Sequence, residues 1–133
     1  MAQLESKIYT ALSGSTAVAA LVGARIYPLI LPQKCLLPAI TYQRISGGKQ
    51  FALSGYSGLE SPRIQVDCWA TTYAQVKAIA AAVMAAMRST TAFNVSDMSD
   101  RDLVEDAHNI YRVSIDFSVW PREDEAPLTQ TSR

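Results

Sequence analysis

The stretch Arg63–Met87, RIQVDCWATTYAQVKAIAAAVMAAM, decides the fold because it predicts a strand, a capped turn and a helix in succession. Apolar side chains alternate with other residues over Arg63–Ala70, which is typical of a strand with one buried face. Thr72 and Gln75 then form a capping box, in which the Thr72 hydroxyl accepts a hydrogen bond from the Gln75 backbone N–H. A helix is therefore predicted to begin directly after Thr72.

This helix is expected to run from Tyr73 to about Arg88, and it is apolar nearly all round. Its core-facing stripe consists of Val76, Ile79, Val83 and Met87. Most of the remaining positions are alanine. Such a helix is buried on more than one side, and another subunit can supply the second cover; the alternative is that the alanines serve only as good helix formers. The predicted subunit contacts are Ala78, Ala82 and Ala85.

Two short helices are predicted at the N-terminus. The first places Leu4, Ile8 and Leu12 on one face and ends at Ser13-Gly14. Ser15 is a suitable N-cap for a second helix over Thr16–Val22, and Gly23 is a natural left-handed stop. The prolines at positions 28, 32 and 38 exclude a helix or a central strand, so this segment is expected to be an extended arm or a sheet edge.

The remaining strands follow from their residue types. Ala39–Ile45 is rich in β-branched and aromatic residues, and a short strand is expected near Phe93 and Val95. The acidic run after Val95 is expected to be a solvated loop. His108–Trp120 alternates most clearly and ends at a proline.

The connection Ser46–Pro62 is long and rich in glycine and serine, which predicts a hairpin. Three large apolar residues lie inside it: Phe51, Leu53 and Tyr56. Connections of this length are usually functional or disordered. Apolar residues in such a connection indicate an element that docks on a partner, and the alternative is a loop that folds back on its own sheet.

Both tryptophans, Trp69 and Trp120, fall on the polar side of their strands. Tryptophan is enriched at protein–protein interfaces, where its large ring buries much area. The outward face of the sheet is therefore predicted to meet a partner at these two residues, and the alternative is that a loop or short helix of the same chain covers them.

The bulk composition narrows the class of protein. At 133 residues the chain is expected to be one domain over residues 1–120, followed by an extended polar tail over residues 121–133 that has no structure of its own in isolation. The 12 basic and 12 acidic residues balance, which argues against a dedicated nucleic-acid binder. No signal peptide is expected, and the longest apolar run is too short to cross a membrane.

Catalytic and metal-binding patterns are weak. The single histidine, His108, excludes a multi-histidine metal site, and the two distant cysteines, Cys35 and Cys68, are expected to be reduced thiols. Gly47-Gly48-Lys49 lacks the earlier glycine and the following Ser or Thr of a phosphate-binding loop. The sequence therefore predicts no enzyme, no metal site and no cofactor.

The order of the predicted elements and a few short sequence motifs indicate a resemblance to a known family. After the N-terminal helix come LVGARIYP at Leu21–Pro28 and PAITY at Pro38–Tyr42. RIQVDCWA at Arg63–Ala70 then runs into the long helix, and DFSVW at Asp116–Trp120 closes the last strand. This pattern resembles the tail completion or tail terminator proteins of long-tailed bacteriophages and prophages, which lie at the head–tail joint.

The resemblance implies an α+β fold, in which one long helix packs on an antiparallel sheet of four to five strands and short helices lie at the N-terminus. It also implies a structural virion protein, made in the host bacterial cytoplasm, whose copies form a ring, as six copies do in this family. Such a ring caps the tail tube, ends its polymerisation and joins it to the head connector, while DNA passes through the lumen without specific binding. The expected partners are other copies of the chain, the tail tube protein and the connector. Two alternatives stay open: a head-side neck or adaptor protein, and a small ligand-binding domain in which the hairpin is a lid.

Overall fold

The computed structural model describes residues 2–46, 49–52, 55–60, 63–105 and 109–121. Leu53, His108 and the tail from residue 122 onward lie outside the described residues. The elements in chain order are α1 (Ala2–Ser13), α2 (Thr16–Val22), β1 (Ile26–Pro28), β2 (Ala39–Ser46), β3 (Lys49–Ala52), β4 (Gly55–Glu60), β5 (Arg63–Ala70), α3 (Tyr73–Ser89), β6 (Phe93–Glu105) and β7 (Ile110–Pro121).

A five-stranded sheet with the order β1-β2-β5-β7-β6 forms the centre of the fold. The pairs β2–β5, β5–β7 and β7–β6 are antiparallel, whereas β1 is parallel to β2. The predicted α+β fold is confirmed, with the difference that β1 makes the sheet mixed. A parallel pair needs a crossover instead of a tight turn, and the proline-containing segment between β1 and β2 provides it.

Strand β6 is much longer than the sequence pattern indicated. The acidic residues after Val95 were expected in a solvated loop, and this expectation is wrong, because β6 continues to Glu105 and pairs with β7 along its length. A register shift between Val95 and Asp97 marks a bulge. Charged residues suit this position, since β6 is an edge strand and charge discourages unwanted strand addition at an edge.

The helices cover one face of the sheet and enclose the core. The predicted α3 stripe is confirmed, since Val76, Ile79, Val83 and Met87 are all fully buried. They pack with the inward residues of the central strands, which include Val66 of β5 and Phe117 of β7. Helix α3 lies over β5, β7 and β6, whereas α1 lies over β1 and β2. The two ends of the sheet therefore carry different helices.

The helix boundaries follow their local chemistry. Thr72 Oγ1 accepts a hydrogen bond from the Gln75 backbone N–H over 3.2 Å at the start of α3. Ser15 Oγ accepts from the Val18 N–H over 3.3 Å at the start of α2. Gly23 ends α2 at a φ of 61°, a conformation that glycine adopts without steric cost. Within the described residues, no helix is long and apolar enough to cross a membrane.

Candidate assembly surfaces

The outward face of the sheet holds Trp69 within a network from its own chain. Its indole Nε1 donates to Thr41 Oγ1 over 3.1 Å, and Thr41 is buried beneath it. The Arg112 guanidinium lies 4.9 Å from the centre of the Trp69 ring, a distance typical of a cation–π contact. Trp69 is therefore half-buried by its neighbours on the sheet, and only part of its ring is available to a partner.

Charged groups on this face of the sheet occur in pairs. Arg112 Nη1 lies 3.7 Å from Asp67 Oδ2, and Gln65 Nε2 donates to both Asp67 carboxylate oxygens at 3.1 Å. Arg101 Nη1 lies 3.8 Å from Asp116 Oδ2. Partly exposed pairs of this kind contribute roughly 0.2–1 kcal/mol each. This face of the sheet is therefore polar, and its charges are paired with one another, so it is not a hydrophobic patch.

Three buried polar atoms on this face have no partner among the described residues. They are Arg112 Nε, Ser114 Oγ and Asp116 Oδ1, at successive outward positions of β7. Buried polar atoms are nearly always paired in native structures, so this line of atoms is costly in the isolated chain. Arg112 and Asp116, at its two ends, each also belong to one of the two ion pairs.

Trp120 lies at the other end of the sheet. Its indole Nε1 donates to Ser96 Oγ over 2.9 Å, and it is half-buried. It pairs with Asn94 and lies eight residues along β7 from Arg112, the partner of Trp69, which is about 26 Å at the usual strand rise. The two tryptophans therefore belong to separate parts of the outward face.

The outer side of α3 is a strip of small residues. Ala78 and Ala85 are exposed, whereas Ala82 is half-buried and packs against the core. Lys77 and Arg88 are the basic residues of this helix. The structure thus places two of the three predicted contact alanines on the open surface.

The hairpin forms a separate two-stranded sheet from β3 and β4. Phe51 of β3 is the register partner of Tyr56 of β4, so the structure brings these two predicted docking positions opposite each other. A two-stranded hairpin alone is marginally stable in water.

The sequence pattern missed an apolar surface at the β1 edge of the sheet. Leu29, Ile30 and Leu36 are 65%, 77% and 72% exposed. The segment is held in place, because the Leu29 N–H donates to the Tyr42 carbonyl over 2.9 Å and Arg25 Nε donates to the Pro38 carbonyl over 2.7 Å. Leu29 has a φ of 72°, which costs a residue with a side chain about 1–2 kcal/mol. The sequence feature that could have revealed this surface is the run of apolar residues among the prolines at positions 28, 32 and 38.

A second missed surface lies at the opposite edge, where α3 meets β6. The Tyr73 hydroxyl donates to Asp102 Oδ2 over 2.7 Å, and Lys77 Nζ lies 3.2 Å from Asp102 Oδ1. The hydrogen bond from Tyr73 contributes most to holding the pKa of Asp102 below its usual value, and the bond from Lys77 adds to this effect. The same two hydrogen bonds raise the pKa of Tyr73 and of Lys77. Tyr73 and Val104 remain about half exposed beside this cluster.

The described part of the chain offers few groups that could bind or react with a small molecule. No group of three or more His, Cys, Asp or Glu residues there is arranged to hold a metal ion. Burial raises the pKa of the Cys68 thiol, which suits a residue that packs in the core. An open groove of about 510 Å³ lies between the ends of α1 and α3, and hydroxyl and small residues line it without an ionisable group.

Comparisons with known proteins gave a family match and a match in fold. The family model described as "Tail completion protein gp17" matches residues 6–122. A solved structure described as "Virion of native gene transfer agent (GTA) particle" contains a chain with the same fold at a TM-score of 0.61 and 20% identity. The alignment covers 86% of this chain and 90% of that one. No curated protein matches.

Proposed function

The chain belongs to the tail completion protein gp17 family, and on this premise we propose that its copies form a ring of six, in keeping with the family resemblance, that closes the tail tube at the head–tail joint. Membership makes it a structural tail protein of a phage-type virion. The proposal adds that the ring ends polymerisation of the tube and joins it to the head connector. The observation that carries it is the family match over residues 6–122, which includes all five strands of the central sheet, α2, α3 and most of α1.

Ring formation requires a contact between different surfaces of neighbouring copies. Such heterologous contacts close when the rotation between copies divides a full turn, and otherwise give filaments. We place the subunit contact on the outer side of α3, at Ala78, Ala82 and Ala85, and at the accessible parts of Trp69 and Trp120. Ala78 and Ala85 are open and Ala82 is partly covered, so the first two are the sharper sites for a test.

The hairpin is the proposed contact with the tail tube or an adjacent ring. Phe51 and Tyr56 occupy opposite register positions in it, and Leu53 belongs to the same proposed dock. A two-stranded sheet without a third strand gains from a partner surface. The balanced charge of the chain suits a lumen through which DNA passes without being held.

Deletion of the gene in the strain that produces the particles tests the role directly. A protein that ends polymerisation leaves overlong tails when it is missing, and electron microscopy measures their length. Tails of normal length that fail to join heads would instead favour the head-side adaptor. Tails of normal length joined to heads would contradict both roles.

Complementation with variants then tests the surfaces. Ala85→Glu keeps a good helix former but places a charge on the α3 strip, so we expect loss of finished tails. Ala17→Glu adds the same charge to the exposed side of α2 and serves as the matched control. The doubly substituted Phe51→Ala/Tyr56→Ala protein should also fail, and a wild-type yield of tails from it would exclude the hairpin as the dock.

A further inference from the structure

The two edges of the sheet present different chemistry to the outside. Strand β1 is one edge and β6 is the other, with three strands between them. The edges therefore lie on opposite sides of the molecule, where α1 and α3 respectively cover the sheet. A contact between these two edges can form only between different copies, and it is heterologous, as a ring requires.

The first edge is apolar and basic. We define the β1-edge segment as Leu29–Leu36, which carries the three most exposed large apolar side chains among the described residues. Lys34 is exposed within it, and no acidic residue occurs from Arg25 to Pro38. The hydrogen bonds at both ends of the segment keep it in one shape. A held apolar surface loses little conformational entropy on binding.

The second edge is apolar and acidic. We define the β6-edge patch as Tyr73, Lys77, Asp100, Asp102 and Val104. Strand β6 carries four acidic residues and one arginine. Asp102 is already bonded to Tyr73 and Lys77, whereas exposed Asp100 lies close enough to raise the pKa of Lys77 by its charge. The patch thus offers two half-exposed apolar side chains, Tyr73 and Val104, beside a negative group.

We infer that the β1-edge segment of one copy packs on the β6-edge patch of the next copy, with Lys34 facing Asp100. This inference rests on the proposed ring and names the surfaces that close it. Charge complementarity selects this pairing, because two β6 edges facing each other would bring acidic residues together and two β1 edges would bring basic ones together. Ile30 and Leu36 find in Tyr73 and Val104 the apolar cover that their own chain does not supply. Ala78, one residue after Lys77, lies beside the patch, so the contact is continuous with the strip on α3.

A charge exchange tests the pairing. Lys34→Glu and Asp100→Lys each place like charges opposite one another, and the double variant restores an opposite pair with the wild-type net charge. Sedimentation equilibrium at low salt measures self-association of the full chain. We expect each single variant to raise the dissociation constant about tenfold or more and the double variant to return within about threefold of wild type.

Cross-linking measures the apolar part of the contact independently of affinity. Cys35→Ser removes the half-buried thiol, and Ile30→Cys together with Val104→Cys then places one thiol on each edge. Oxidation at high protein concentration should give a ladder of covalent oligomers that ends at the closed ring. The two chains that carry one engineered cysteine each, beside the buried Cys68, should give only dimers when mixed, and each one alone should give no covalent oligomer.

Two results would overturn the inference. If the wild type associates but the single charge variants associate equally well and the double-cysteine chain forms no ladder, another surface closes the ring and the proposed function stands. If the wild type stays monomeric at millimolar concentration and no ladder forms, the inference is refuted. The gene-deletion experiment tests the proposed function separately, because it measures tail length and not the self-association of the chain.

Discussion

The hydroxyl of Tyr73, the first residue of α3, donates to Asp102 Oδ2 on the edge strand β6 over 2.7 Å. This contact joins the start of the long helix to the most acidic strand of the sheet. Lys77, one turn further along α3, reaches the other carboxylate oxygen over 3.2 Å. The ring of Tyr73 also packs at an edge against Tyr111, with 6.1 Å between centroids.

Replacement of Tyr73 by phenylalanine should therefore raise the pKa of Asp102. The carboxylate loses the hydrogen bond that lowers its pKa most, so its titration should move toward the ordinary value of 3.8. The folded pKa of Asp102 is depressed, so its contribution to stability is complete above the unfolded pKa and is lost as the pH falls through the folded one. Carboxyl-carbon NMR titration measures the shift. Tyr111→Phe is the control and should leave the Asp102 titration unchanged.

Truncation of Ile79 should destabilise the fold strongly. Its side chain is fully buried between α3 and the sheet, and Ile→Ala substitutions in cores cost about 2–5 kcal/mol through lost transfer energy and the cavity left behind. Urea unfolding of Ile79→Ala measures the loss. The exposed neighbour Ala81 provides the control, since Ala81→Glu should change the free energy of unfolding by only about 0.5 kcal/mol. Equal losses for the two variants would contradict the assigned facing of α3.

The sequence predicted the elements whose pattern is local and strong. Strand β5, helix α3 and strand β7 each bury one face. The apolar residues of each element therefore recur with the period of a strand or of a helix. Strand β6 was underestimated because its acidic residues have low β-propensity, and pairing with β7 outweighs that preference. The parallel β1–β2 pair could not be inferred from short-range signals, because pairing direction depends on how the segment between the strands crosses over.

The surfaces were harder to predict than the fold. The prediction that Trp69 lies on the outward side of β5 was right. No local pattern reveals that Thr41 and Arg112, which are distant in sequence, cover part of its ring. The exposed β1-edge residues Leu29 and Ile30 have the composition of a buried strand. Only the fold shows that they turn away from the core. The predicted contacts on α3 and in the hairpin stay predictions.

Thiol accessibility should distinguish the two cysteines. Cys68 is fully buried on the inward side of β5, and burial raises its pKa, so it should not react in the native chain. Cys35 is half-buried in the β1-edge region and should react with a disulfide reagent. Ellman titration should therefore give one thiol per native chain and two in denaturant. Cys35→Ser should abolish the native reaction, and a native signal that persists in this variant would contradict the burial of Cys68.

Two serines on β7 should respond in opposite ways to replacement by alanine. Ser118 Oγ accepts a hydrogen bond from Arg63 Nη1 over 2.9 Å, so Ser118→Ala should lower the free energy of unfolding by about 1 kcal/mol. Ser114 Oγ is buried without a partner among the described residues, so Ser114→Ala removes a desolvated group and should be neutral or stabilising by up to about 1 kcal/mol. Thermal unfolding of the two variants measures the contrast. A loss of stability in Ser114→Ala equal to that in Ser118→Ala would show that the Ser114 hydroxyl is paired, and the line of unpartnered atoms on β7 would then be shorter by one.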